Sequence, residues 1–173
     1  MKKTALIYWP KKGNVENTAV KLAAYFDKDA IDVFTISEVE VNNLANYDFL
    51  IFGGSTIGAD NWEDIHTSKW YAFFEDLKSV SLEGKTFAIY GLGDQVLYPE
   101  HFVDGMAIIR DELAATGARL IGKWPIEGYE HTDSKSIEGD HFIGLALDDD
   151  HQSELSNERI DKWVKMLKAE LGI

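Results

Sequence analysis

Residues 86–98 read Thr86-Phe87-Ala88-Ile89-Tyr90-Gly91-Leu92-Gly93-Asp94-Gln95-Val96-Leu97-Tyr98. The apolar run from Thr86 to Tyr90 has the length of a buried strand, and glycines follow it directly. This pattern predicts a strand that stops where the glycines begin, because Gly91 and Gly93 tolerate the backbone angles and the close approach that a bound planar ring requires. Tyr98, beyond the turn, is placed to lie flat on such a ring. Gly-rich turns also follow many parallel strands as ordinary surface loops, so the rest of the chain must decide between a site wall and a loop.

Working outward, Lys3 to Trp9 is a short apolar run stopped by Pro10, with Lys11-Lys12-Gly13-Asn14 as a turn. Val15, Ala19, Leu22, Ala23 and Phe26 then recur at helical spacing, with Asn14 as the expected N-cap. Ile31 to Ile36 is a second strand, Val39 to Leu44 a short helix or turn, and Phe49 to Gly53 a third strand that empties into Gly54-Ser55-Thr56-Ile57-Gly58. Ser68 to Leu77 has helical periodicity. On the far side, Phe102 to Thr116 is an amphipathic helix ended by Gly117, and Arg119 to Gly122 starts a fifth strand. From Trp124 to about His141 the chain leaves that pattern before a strand-like Phe142 to Leu147, so an excursion interrupts the last strand. Asp148-Asp149-Asp150 makes an acidic turn, and Ser156 is the expected N-cap of a final helix carrying Ile160, Trp163, Val164, Leu167 and Leu171. Strands alternating with helices predict a doubly wound, five-stranded parallel sheet in a three-layer α/β/α sandwich, one domain over residues 1–173. Ligands bind such sheets beyond the carboxyl ends of the strands, where the winding reverses. Three loops fall there: Pro10 to Val15, Ser55 to Trp62, and Leu92 to Tyr98.

Composition narrows the chemistry. With 17 Lys and Arg against 30 Asp and Glu, the net charge of -13 argues against nucleic acid and anionic lipid as partners, and favours basic protein surfaces. The chain has no cysteine, which rules out disulfides, thiolate nucleophiles and cysteine-ligated clusters, so redox work needs an organic cofactor. No apolar run approaches the roughly 20 residues of a membrane helix, and Met1-Lys2-Lys3 passes straight into a strand, so a cytoplasmic protein is expected; a monomer is the expected state. His66, His101, His131, His141 and His151 lack metal-ligand spacing and are expected at the surface.

These three loops, in this order, resemble the flavodoxin family over essentially the whole chain. Gly91-Leu92-Gly93-Asp94-Gln95 with Tyr98-Pro99-Glu100, then Glu127-Gly128-Tyr129, Phe142 to Asp148 and Glu158-Arg159-Ile160, are similar to the long-chain subgroup, which the excursion defines. The resemblance implies non-covalently bound FMN, no catalytic side chain, no metal, and one-electron shuttling at low potential between redox proteins. It departs in the first loop, where Pro10, Lys11, Lys12 and Val15 stand in place of the usual phosphate-binding hydroxyls, while Gly13, Asn14 and Thr18 keep the pattern. Amides from Lys11 to Val15 still form a nest at a helix N-terminus suited to an anion of about -1.5 to -2 charge. At least one lysine is expected to offset the lost hydroxyls; the alternative is that both point into solvent. In the second loop Ser55 and Thr56 precede Ile57, where an aromatic residue is usual. Ile57 packs the inner ring face without stacking, or Trp62 folds back to cover it; the alternative for Trp62 is a loop anchor on the protein surface or a partner contact. In the third, Leu92, Gly93, Asp94 and Tyr98 form the outer wall, with His101 close by.

The resemblance also implies the electronics. Tyr98 on the outer face is electron-rich and disfavours the second electron, and Asp94 adds like-charge repulsion. Gly58, lacking a Cβ, lets its peptide flip and offer a carbonyl to the flavin N5 after one-electron reduction. Asp60, Glu63, Asp64, Asp94 and Glu100 would steer the protein to basic faces of a ferredoxin- or flavodoxin-type reductase and of low-potential acceptors. Two other classes fit part of the pattern: an NAD(P)H-dependent quinone reductase with one open ring face, and a module that has lost its cofactor.

Overall fold

The computed structural model describes residues 2–57 and 69–173. Strands β1 (Thr4–Tyr8), β2 (Ile31–Thr35), β3 (Phe49–Gly54), β4 (Thr86–Leu92) and β5 (Arg119–Leu120) form a parallel sheet in the order 2-1-3-4-5. β1 and β3 are buried along their whole length, as strands covered on both faces must be, and this is why they read as unbroken apolar runs. β2, at the edge, is largely open to solvent. Helices α1 (Asn14–Ala23) and α4 (Ser153–Leu171) pack together on one face, and α2 (Lys69–Leu77) and α3 (Gly105–Ala115) on the other. A 3-10 helix at Val41–Asn46 stands where a short helix or turn was expected. The predicted α/β/α architecture is the observed one.

The interrupted last strand is also present. β5 pairs with Thr86 and Phe87 at the start of β4, while β9 (Leu145–Leu147) pairs with Tyr90, Gly91 and Leu92 at its end. Between these two halves, β6 (Trp124–Pro125), β7 (Ile137–Glu138) and β8 (His141–Phe142) make a small antiparallel sheet. Gly122, at φ 81°, sits at the exit from the sheet, and a Cβ there would meet Leu167 at 2.5 Å. The excursion is fastened by Tyr129, whose hydroxyl donates to the Ala146 carbonyl (2.6 Å) and whose ring carries the Arg159 guanidinium at 4.0 Å. His131, expected at the surface, is half-buried. It stacks on Phe102 (5.6 Å between centroids) beside Phe142, and burial pushes its imidazole below the usual range although Asp133 opposes this.

Several boundaries differ from expectation for identifiable reasons. β4 does not stop at Tyr90. Gly91 lies inside it without a positive φ, and a Cβ there would meet Met106 Cγ of α3 at 2.6 Å. Gly93 is likewise pressed against Phe102 (3.0 Å), so both glycines admit α3 and its lead-in to the sheet, and Gly93 also lines the cleft described below. That lead-in, Phe102 to Asp104, is a turn with Val103 at φ 51°, so α3 begins three residues later than its periodicity suggests. Gly13 at φ 118° caps α1 in place of Asn14. α4 starts at Ser153, and Ser156 instead donates its hydroxyl to the Asp149 carboxylate.

Candidate functional site

The sheet order reverses at β1, and the loops after β1, β3 and β4 meet beyond its carboxyl edge. They enclose two adjoining hollows, of about 260 and 330 Å³. Ser55, Thr56, Leu92, Gly93, Asp94 and Tyr98 line both, so the two form one cleft. At one end the cleft is closed by Pro10, Lys12, Asn14 and Val15 with Asp149 and Asp150. At the other it is closed by Ile57, His101, Val103, Asp104 and Gly105.

At its α1 end the cleft meets the N-terminus of a helix. The first helical bond runs from Asn17 N–H to the Gly13 carbonyl (3.0 Å), so the amides of Asn14, Val15 and Glu16 have no partner within the helix. Lys12 at φ 60° and Gly13 at φ 118° turn the chain into that helix. Two buried phenols hold the turn. Tyr90 crosses over Gly53, its neighbour in β3, and donates to the Val15 carbonyl at 2.9 Å; a Cβ on Gly53 would lie 1.9 Å from the Tyr90 ring. Burial, then the nearby Tyr8 and Glu16, raise the Tyr90 phenol well above its usual range. Tyr8 donates to Glu16 at 2.7 Å, and burial with that bond pushes it up to about 12. Both phenols therefore stay protonated as donors at any physiological pH. Lys11 faces away, toward Glu38 at 3.4 Å, and does not line the cleft.

The outer wall is the turn after β4. Asp94 Oδ1 accepts the amides of Val96 (3.0 Å) and Leu97 (2.8 Å) and lies 2.9 Å from His151 Nε2. Burial raises the Asp94 carboxyl, but those amides and His151 outweigh it and hold the acid below the usual carboxylate range. The Tyr98 amide bonds the Asp94 carbonyl at 3.0 Å, and its ring stands 57% exposed beside exposed Val96 and Leu97. Behind this wall Ser134 and Ser136 of the excursion donate to the carbonyls of Phe102 (2.5 Å) and Val103 (2.7 Å), so the excursion braces the strained Val103. The inner wall is tight: a Cβ on Gly105 would come within 2.3 Å of the Ser55 carbonyl.

The chain matches the flavodoxin family over residues 6–163. It is 37% identical to the flavodoxin of Picosynechococcus sp. over the full length of both chains, and 38% identical to flavodoxin 1 of Salmonella typhimurium over 98% of this chain and 95% of that one. The chain belongs to the flavodoxin family. Among solved structures, Fusobacterium nucleatum flavodoxin bound to flavin mononucleotide superposes with a TM-score of 0.86 at 24% identity, covering 98% of this chain and 99% of that one. Its K13G mutant, also bound to flavin mononucleotide, gives 0.85 at 25% identity over 98% and 97%. Flavodoxins are a type example of the sheet order seen here, with the flavin at the reversal point. The reductase class named above therefore falls away, because flavodoxins are electron-transfer proteins.

Within this flavodoxin cleft the sequence placed most lining residues, and the differences are instructive. Lys11 and Gly13 do not line it; Lys11 is held by Glu38, and Gly13 shapes the turn from behind. Ile57 is almost wholly buried against α3 yet still lines the cleft, and His101 lines its mouth beside Asp104, 3.1 Å away. Gly58, Trp62 and the acidic Asp60, Glu63 and Asp64 lie outside the described residues. Among the described residues, five lining residues were missed: Val103, Asp104, Gly105, Asp149 and Asp150. The acidic run 148–150 was a visible signal for the last two. Gly105 inside an apparent helix was a weak one for the first three.

Proposed function

We propose that this cleft holds FMN with its phosphate on the Lys12 to Glu16 turn and its ring between the Ser55 to Ile57 loop and Tyr98. As a flavodoxin the chain is a non-covalent FMN-binding electron carrier. The residue assignment rests on one observation above all: unpaired helix amides at one end of a continuous cleft, and an exposed aromatic ring at the other. Both the anion and the planar part of FMN have a chemical counterpart there. The bound flavin supplies the one-electron chemistry, and the protein sets how readily each electron is taken up. Tyr98 and the carboxylates Asp94, Asp149 and Asp150 oppose added negative charge, which gives a low potential for the second electron.

Of the two adjacent lysines, Lys12 is the phosphate's counter-charge and Lys11 serves Glu38. Lys12→Ala is expected to weaken FMN about tenfold while leaving riboflavin, which lacks the phosphate, within about twofold. Lys11→Ala should leave both ligands nearly unchanged in the same fluorescence titration. Equal losses for FMN and riboflavin in Lys12→Ala would put that lysine elsewhere.

The acidic rim, including Asp94 and Glu100, steers the carrier to basic faces of reductases and low-potential acceptors. Stopped-flow reduction by a ferredoxin-type reductase should slow at least tenfold as salt rises from about 0.01 to 0.5 M, because the screening length falls from about 30 Å to a few ångströms. A rate indifferent to salt would remove the electrostatic docking from this reading.

A further inference from the structure

We propose that Asp148, which does not line the cleft, is a positioning residue for Tyr98: its carboxylate clasps the 94–98 turn to the 148–151 turn. The inference rests on the assignment of Tyr98 to the flavin ring. Asp148 is fully buried at the end of β9. A buried carboxylate is tolerated only when its oxygens are satisfied, and this one accepts four N–H groups. Oδ2 takes the Gln95 main-chain amide (3.1 Å) and the Gln95 side-chain amide (2.9 Å). Oδ1 takes the amides of Asp150 (3.1 Å) and His151 (2.9 Å). One oxygen thus belongs to each turn.

The grip continues to the ring in short steps. Gln95, itself buried, uses its remaining side-chain oxygen to accept the Glu130 amide from the excursion. His151, aligned through its own amide, brings Nε2 to within 2.9 Å of Asp94 Oδ1, the oxygen that also gathers the amides of Val96 and Leu97. The Asp94 carbonyl then receives the Tyr98 amide. On the other side, Asp149 and Asp150 carry the clasp directly into the cleft wall near Lys12. Tyr98, more than half exposed, has little packing of its own to hold it, so its place depends on this connection.

Asparagine at 148 keeps the shape and breaks the clasp. Whichever way its amide is flipped, the NH2 faces two N–H donors, either the pair from Gln95 or the pair from Asp150 and His151. FMN dissociation constants and the potential for the second electron are measured in four proteins: the natural chain, Asp148→Asn, Tyr98→Ala and the double variant. Asp148→Asn is expected to weaken FMN about tenfold with Tyr98 present and less than about twofold in the Tyr98→Ala background, with the potential following the same pattern. Should Asp148→Asn fail to fold, Gln95→Met removes the side-chain half of the clasp at similar length and enters the same cycle. Equal factors in both backgrounds mean a general structural role and overturn the inference while leaving the stacking assignment intact. If Tyr98→Ala by itself changes neither quantity, the stacking assignment fails and takes the inference with it.

Discussion

Replacing Gly105 by Ala is expected to destabilise the protein by about 2–4 kcal/mol and to loosen FMN at the same time. Gly105 is the first residue of α3, and its φ is not positive, so backbone conformation does not demand glycine there. On helix propensity alone Ala would help, by up to about 1 kcal/mol. The opposite sign is expected because the new Cβ would sit 2.3 Å from the Ser55 carbonyl oxygen and 3.4 Å from Ile57 Cγ1. A carbonyl cannot rotate aside as a flexible side chain can. Either α3 backs away from the sheet, where Gly91 already holds Met106 close, or the Ser55 to Ile57 loop moves into the cleft it lines. Urea unfolding checks the first effect: with an m-value of about 2 kcal/mol/M the midpoint should fall by about 1–2 M. Gly139→Ala is the control, since Gly139 has φ 66° but nothing within 4 Å of its added Cβ, and should cost about 1 kcal/mol or less. A Gly105→Ala midpoint equal to or above the natural one would show that the loop yields freely and that α3 does not wedge the inner wall.

How much of this was legible follows from the range of each interaction. The central strands were readable because burial on both faces leaves runs such as Phe49 to Gly53 with no polar residue to confuse the pattern. The excursion was readable too, since Gly128, Tyr129, His131 and Asp133 break every periodicity at once. What failed depended on neighbours distant in sequence. Gly91 looks like a turn residue until Met106 is placed against it, and Gly53 looks like a strand end until Tyr90 crosses it. Lys11 and Lys12 are indistinguishable as letters; Glu38, on a loop 27 residues away, claims the first. Ser156 has the composition of a cap, yet its partner is Asp149 in the preceding turn. Asp148 read as one of three acids in a turn, and only the fold separates it, wholly buried, from Asp149 and Asp150 at the cleft.

Tyr98→Ala is expected to raise the potential for the second electron by about 20–65 mV and the FMN dissociation constant tenfold or more. The first figure follows from a stacking contribution of about 0.5–1.5 kcal/mol, with about 59 mV for each tenfold change in a one-electron equilibrium. The direction is fixed by charge: an electron-rich ring face against the flavin opposes the more negative reduced form, so removing it eases that reduction. On the proposed placement affinity falls further than stacking alone requires, because the ring would also cover apolar flavin surface worth about 25 cal/mol per Å². Tyr98 is well placed for both roles. It lines both hollows of the cleft, and its backbone is held by the Asp94 carbonyl on one side and by the His101 amide (3.2 Å) on the other, so truncation of the ring need not disturb the turn. Tyr98→Phe separates ring from hydroxyl, and should keep most of the affinity and shift the potential by less than about a third as much. Redox titration of the three proteins under anaerobic conditions gives the comparison directly. An unchanged potential in Tyr98→Ala, with FMN still bound, would mean that the outer face of the flavin is covered by something other than Tyr98.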